Sequence, residues 1–507
     1  MTATQERTGD PVVPAPIPAF AAKPVLTVAA LLAVPLALTA DRYGYFGDEL
    51  YFLAAGRHLS WGYVDQPPLL PLLARTMDAI GPGSPFVLRI PAMAATLAAV
   101  VLTALIAREL GGRGRAQTMA AATVAVAAQF VAGGHYLATS TLDPVLWTLL
   151  LWLLVRWVRT RRDGLLGWAG VVTAVALYTK FLIGGFWIVA GIALLACGPR
   201  ELLRRPALWF GALLAALALV PTLLWQATHG WPQLGVGAAI SQEVGRTWGG
   251  RVVFLPSALL VAGIPVGAVL LCYGLWRLLR STELRAYRFL GWTALGLAAV
   301  FLAVNGRYYY VAGMFAPCWA VAVVELERGR ASRWWRWLAT WPCYLVAAIL
   351  VVPISLPVWP RTWLAEHPGL PSPAFATQEI GWPEVAKSVA GAYATLPGPD
   401  RARTAVVTES YWGASALDRF GRDLGLPEPT SPNRGYATLV TPPESATDVL
   451  FVGEDPRPLL GHFAHLRPIG TVHTGLPVAN SIDGNPIWLA TGRNESWTTL
   501  WPKLARD

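Results

Sequence analysis

Between residues 22 and 358 the chain repeats one pattern: an apolar run, a short polar break, and arginines gathered at every second break. The runs fall near 22–40, 88–107, 116–134, 141–158, 165–180, 181–197, 207–226, 252–276, 289–304, 309–325 and 337–358. A helix crossing a bilayer needs about 20 mostly apolar residues. The pattern therefore predicts an α-helical polytopic membrane protein with about 11 transmembrane helices. The stretch near 165–197 is barely long enough for two, and reads either as two short spans or as one span plus a re-entrant piece. Composition agrees. The chain is 54% hydrophobic and only 14% charged, whereas a soluble chain carries about 25% charged residues.

Arginine placement orients the spans, because short cytoplasmic loops collect Lys and Arg. Arg108, Arg113 and Arg115 follow the second run, and Arg156, Arg159, Arg161 and Arg162 the fourth. Arg200, Arg204 and Arg205 follow the sixth, Arg277, Arg280, Arg285 and Arg288 the eighth, and Arg328, Arg330, Arg333 and Arg336 the tenth. The formal charge of +10 is thus mostly a topology signal. The basic residues are not gathered on one face, so no nucleic-acid partner is expected. The expected organisation is a disordered cytoplasmic tail (1–20), a transmembrane domain (21–359) with a long first outer loop (41–87), and an extracytoplasmic α/β domain (360–507). In that last region "TAVVTES", "TDVLFVG", "PIGTVH" and "NPIWLAT" read as strands. "PEVAKSVAGAYATL" and "GASALDRFGRDLG" read as helices. The location is the cell membrane, multi-pass. All four cysteines fall inside the runs, so the outer domain lacks a disulfide.

The outward breaks differ from the basic ones. The first contains "YFGDELYFLAAGRHLSWGYVDQPPLLPLLAR", with the adjacent pair Asp48–Glu49 on a helical pattern. Helix neighbours point about 100° apart, so one acid faces a cavity and the other holds a partner. The second break, "GGHYLATSTLDP", carries His135 and Asp143. The third carries Arg246 and Arg251, the fourth is "NGRYYY" with Arg307, Tyr308 and Tyr309, and Lys180 ends the fifth run in "LYTKF". Each has a plain structural explanation. Asp48 and Glu49 would pair with Arg57 or His58 in a solvated loop. Asp143 before Pro144 would cap a helix. Lys180 would snorkel. Arg307 would belong to an interfacial aromatic belt, and Arg246 and Arg251 would be solvated loop charges. Taken together, one chemistry uses them all. Cations hold a lipid-borne phosphate, a carboxylate takes a proton from an acceptor hydroxyl, and a sugar passes to that hydroxyl. Direct displacement inverts the anomeric carbon.

"YFGDELYFLAAGRHLSWGYVDQPPL", "TSTLDP", "LYTKFL", "NGRYYYVAGMFAP" and "ESYWGASALDRFGRDLGLP" resemble the bacterial membrane glycosyltransferases related to the protein O-mannosyltransferases and the aminoarabinose transferases of lipid A. The resemblance spans nearly the whole chain and implies the GT-C fold. It implies Asp48 as catalytic base with Glu49 adjacent, and Asp143 as a second acid orienting acceptor, donor or metal. It implies Lys180 and Arg307 at the donor phosphate, with Arg246 and Arg251 as looser candidates. Tyr45, His135, Tyr308 and Tyr309 would line the pocket. A polyprenyl-phosphate sugar is the implied donor, and a protein, glycan or lipid hydroxyl the acceptor, in contact with membrane lipid. Part of the family uses a divalent metal, but His135 and Asp143 alone are too few to argue a site. Mannose and a pentose both remain open. A transporter or flippase of lipid-linked sugars is the alternative. It would bring polar groups to the bilayer midplane, whereas here they collect at one surface.

Overall fold

The computed structural model describes residues 17–368, 373 and 375–505. Helix α1 (Ala22–Thr39) leads into a first loop that folds into α2 (Gly47–Arg57) and α3 (Leu69–Ile80). There follow α4 (Pro85–Glu109), α5 (Gly114–Ala125), α6 (Ala128–Gly133), α7 (Thr139–Thr160), α8 (Gly164–Thr179), α9 (Leu182–Cys197) and α10 (Pro206–Thr228). The second half contains α11 (Gln233–Thr247), α12 (Gly250–Val261), α13 (Val266–Arg280), α14 (Arg288–Ala303), α15 (Phe315–Glu327) and α16 (Trp341–Ser355).

Among the described residues, six helical segments are long and apolar enough to cross a bilayer. They are α1, α4, α7, α10, and the runs that contain α14 and α15. The expected eighth run is the bent pair α12–α13, whose axes meet at 106° across a break holding Pro265, where the missing N–H cannot continue a helix. The expected 116–134 run is split into α5 and α6. The runs near 165–180, 181–197 and 337–358 form helices of 16, 16 and 15 residues. A 16-residue helix rises about 24 Å, short of the roughly 30 Å hydrocarbon core. Hydropathy marks all of these apolar runs but does not read the lengths and breaks of the helices they form. Of the expected disordered tail, residues 1–16 lie outside the described residues. Pro18 and Ala19 are held in place, their carbonyls accepting from Arg108 Nε (2.9 Å) and Gln117 Nε2 (3.1 Å).

At the arginine-rich end the cations are matched by buried acids. Glu109 meets Arg159 at 2.5 Å. Glu325 meets Arg277 at 2.5 Å and Arg330 at 3.0 Å.

The C-terminal region begins with the short helix α17 (Arg361–Glu366), then α18 (Trp382–Ala394) and α19 (Gly398–Ala402). Strands β1 (Thr404–Thr408), β2 (Asp448–Val452), β3 (Phe463–Thr471) and β4 (Pro486–Arg493) form one sheet in the order β1-β2-β4-β3. β1 and β2 are parallel, and the other pairs are antiparallel. α20 (Tyr411–Phe420) follows β1, and α21 (Trp497–Leu504) closes the chain. All ten residues of β1 and β2 are buried, as expected of strands covered on both faces. One apolar core joins Leu50, Tyr51 and Leu70 of the first loop to Trp382, Val385, Ala414, Leu417, Val406 and Leu450. First loop and C-terminal region therefore fold as partners, and this shared core sets α20 against the start of α2.

Candidate functional site

The pair Asp48–Glu49 divides its work at the first turn of α2. Glu49 is fully buried and bends back to accept the Phe46 N–H at 2.9 Å, which caps the helix start. Arg89 of α4 donates to it through Nε (2.9 Å) and Nη2 (2.7 Å), and the Leu137 N–H adds a further bond at 2.9 Å. Arg89 also reaches the carbonyls of Ala40 and Gly44 and the carboxylate of Glu379. Both Glu379 oxygens lie 3.1 Å from His135 Nε2. Burial pushes Glu379 upward, but His135 and Arg89 outweigh it and hold the carboxyl below its ordinary range. This latch ties four segments distant in sequence. Glu49 thus holds the helix start and the latch together and lines neither of the two cavities beside Asp48.

Asp48, one position earlier, turns the other way. Its Oδ1 accepts the Tyr411 hydroxyl at 2.6 Å and the Trp412 Nε1–H at 2.8 Å. Among the described residues no donor reaches Oδ2. The Trp412 indole lies so close over Gly47 that a Cβ there would collide with its ring, so glycine is required for the approach. Burial and the neighbouring Asp48 charge push the Tyr411 hydroxyl well above its ordinary range, which keeps it a proton donor.

Two cavities meet at Asp48. One encloses about 520 Å³, the other about 350 Å³. Asp48, Glu243, Arg307, Tyr309, Tyr411 and Arg434 line both. The larger also takes in His135, Glu379, Trp248 and Tyr308, together with Leu260 and Ile354 from apolar helices. The smaller takes in Lys180, Asp65 and Tyr51. Lys180 Nζ stands 4.1 Å from the centre of the Tyr310 ring, a cation–π distance. Asp65 accepts the Tyr51 hydroxyl at 2.8 Å, and burial pushes its own carboxyl upward.

The structure thus brings Asp48, Lys180, Arg307 and Tyr309 to one cavity, with His135 and Tyr308 in its neighbour. It leaves other expected residues outside. Asp143 is buried in α7 and accepts the Trp147 Nε1–H at 3.0 Å, one turn along; it lines neither cavity. Tyr45 is buried against Phe420. Arg246 is exposed, and Arg251 donates to the Ala303 carbonyl at 2.7 Å. Their segment is no loose loop: helices α11 and α12 fix both side chains away from the cavities. Arg57 pairs with Asp418 rather than with the acidic pair. His135 bonds to Glu379 and Asp143 to Trp147. Among the described residues no group of three or more His, Cys, Asp and Glu side chains could hold a metal ion.

Sequence reasoning missed Glu243, Glu379, Tyr411, Trp412 and Arg434. Tyr411 and Trp412 stand in "ESYWGAS", directly after a strand, and that position was the available signal. Arg434 and Glu243 carried none.

A bundle of apolar helices whose loops at one end join a C-terminal α/β layer around an acid and several cations has the fold of the GT-C membrane glycosyltransferases. Residues 65–225 match the family model of dolichyl-phosphate-mannose-protein mannosyltransferases; the match includes Lys180 and starts downstream of Asp48. The chain is similar to ArnT from Cupriavidus metallidurans in the apo state, with a TM-score of 0.60 at 15% identity, over 93% of this chain and 98% of that one. Against ArnT bound to undecaprenyl phosphate the TM-score is 0.57 at 15% identity, over 92% and 97% of the two chains. Against the arabinofuranosyltransferase AftD from Mycobacteria it is 0.51 at 14% identity, over 93% of this chain and 40% of that one. No curated protein sequence matches. The matched family and these structural neighbours are glycosyltransferases.

Proposed function

We propose that this chain transfers a sugar from a polyprenyl-phosphate donor to a hydroxyl acceptor at the outer face of the cell membrane. In this reading the basic loops are cytoplasmic and the C-terminal region is extracytoplasmic. The observation that carries it is the single cavity lined by Asp48, Lys180 and Arg307. Tyr411 and Trp412 occupy one Asp48 oxygen and so aim the other at the acceptor. As the acceptor oxygen bonds to the anomeric carbon, the bond from that carbon to the phosphate oxygen breaks. The hydroxyl proton passes to Asp48 Oδ2, and polyprenyl phosphate leaves. Attack from the side opposite the phosphate inverts the anomeric configuration. Lys180 and Arg307 stabilise the charge that grows on the leaving phosphate, which favours the transition state over the ground state. Glu49 acts through the latch and Asp143 through the α7 wall.

ArnT bound to undecaprenyl phosphate supports a lipid-phosphate donor for this fold. Mannose, named in the matched family's description, and arabinose are the two sugars to assay first. A translocation path would place polar groups along the bilayer midplane, whereas both cavities draw on the loops at one end. The decisive experiment is Asp48→Asn, assayed in membranes at matched protein amount. Turnover should fall by about 10²–10⁴-fold, the usual worth of a positioned base. Undiminished turnover removes Asp48 from the role.

A further inference from the structure

Arg307 and Arg434 point at the same spot from different parts of the chain. The Arg307 guanidinium lies 5.4 Å from the Trp248 ring centre, and the Arg434 guanidinium 5.1 Å from that of Tyr411. Aromatic faces hold both planar forks in place. Arg307 Nη1 donates to the Tyr309 hydroxyl at 2.8 Å, leaving Nη2 turned to the spot. What fills the spot is the carboxylate of Glu243, on α11. Arg307 Nη2 donates to its two oxygens at 3.0 and 2.9 Å, and Arg434 Nη2 donates at 2.9 Å. Both arginines and Glu243 line both cavities beside Asp48.

Arg434 is also held in a backbone conformation that costs stability. Its φ is +51°, in the left-handed region that an L-residue enters at a cost. The next residue, Gly435, has no room for a Cβ, which would run into the Tyr51 hydroxyl and the Asp65 carboxylate. The turn "SPNRGY" therefore presses into the site and presents Arg434 there.

We propose that Arg434 and Arg307 form a two-armed clamp for the donor phosphate, and that Glu243 occupies this clamp until the phosphate displaces it. This rests on the donor reading above and extends it, giving the C-terminal region a binding residue and α11 a gating one. A sugar phosphodiester carries one negative charge, as Glu243 does, so the exchange is balanced in charge. The fork geometry that accepts a carboxylate also accepts a phosphate. Glu243 competes with the donor on arrival and with polyprenyl phosphate on departure.

The test measures binding of undecaprenyl phosphate to the full chain in phosphatidylcholine nanodiscs, with inorganic phosphate and phosphatidylglycerol as separate arms. Glu243→Gln should tighten undecaprenyl phosphate binding by about fivefold, as expected from releasing partly exposed ion pairs. Arg434→Gln should weaken it by about tenfold or more. Opposite signs from two members of one contact are not expected of a merely structural cluster. Weaker competition from inorganic phosphate and phosphatidylglycerol than from undecaprenyl phosphate identifies the polyprenyl lipid as the source. If the wild type binds but Glu243→Gln leaves affinity unchanged or lower, the clamp is overturned alone. If the wild type binds neither undecaprenyl phosphate nor inorganic phosphate, clamp and donor reading fall together. Should Arg434→Gln not fold, the Glu243→Gln measurement still decides.

Discussion

Asp48 and Glu49 are adjacent and chemically alike, yet their surroundings give them different work. Four donor contacts hold Glu49, two of them from Arg89, whereas two donors on one oxygen hold Asp48. Tyr411→Phe removes one of those two and keeps the ring in its packing. A hydrogen bond to a charged group is worth about 1.5–3 kcal/mol. The turnover number should therefore fall by about tenfold or more, with a stability loss of no more than about 1.5–3 kcal/mol that leaves the chain folded. Steady-state kinetics and a melt on the same sample check this, and a variant as active as wild type would mean the hydroxyl does not position Asp48. Arg307→Lys keeps the charge but loses the fork that meets two oxygens. The expected change is a fall in kcat/KM for the donor of about tenfold or more, read from a donor titration at saturating acceptor.

At the scale of elements, the latch of Glu49, Arg89, Glu379 and His135 fastens α2 and α4 to the segment before α18. Removing one partner of a buried charge pair costs about 3–5 kcal/mol, so Glu49→Ala should lower thermal stability in detergent by a clearly measurable amount. Acid should act on the same latch. Glu379 lies below its ordinary value of 4.5 in the folded chain, so folding binds fewer protons there than unfolding does. Its contribution is fully present above pH 4.5 and is lost as pH falls below that toward the folded value. Melting curves between pH 7 and pH 3.5 should show an acid-side loss that Glu379→Gln flattens; parallel curves would deny Glu379 that part. Much at this scale was readable in advance. Short apolar, β-branched runs marked β1, β2 and β4 and the last part of β3, and helical spacing marked α18 and α20. The cavity residues Asp48, Lys180 and Arg307 stood out because charge beside lipid needs a reason. Arg434 and Glu243 did not. An arginine in a Ser-Pro-Asn-Arg-Gly turn has no periodicity to read, and Glu243 gains its meaning only when α11 folds across the cavities. The eleven runs likewise marked apolar segments, but a 15-residue helix or a 106° bend is a property of packing.

At the scale of the whole molecule, the acid and the cations come from regions that a simple division would separate. Asp48 lies in the first loop, Lys180 and Arg307 border the helical bundle, and Tyr411 and Arg434 belong to the C-terminal region. Their meeting depends on the apolar core that α2 and α3 share with α18, α20 and the sheet. A short helix such as α2 has little stability of its own in water, so its order comes from that core and from the latch. Cutting the chain after residue 359 would remove Glu379, Tyr411 and Trp412 together, and with them Asp418, the ion-pair partner of Arg57. The bundle would keep its own core of residues such as Trp147, Phe186 and Trp319. The expected result is selective: a membrane-inserted fragment of residues 1–359 whose first loop is open. Limited trypsin digestion in nanodiscs reads this directly. Cleavage after Arg57, slow in the full chain, should become fast in the fragment, while sites within the bundle keep their rates. Equal protection of Arg57 in both would mean that α2 folds without the C-terminal region, and Asp48 would then owe its position to the bundle alone.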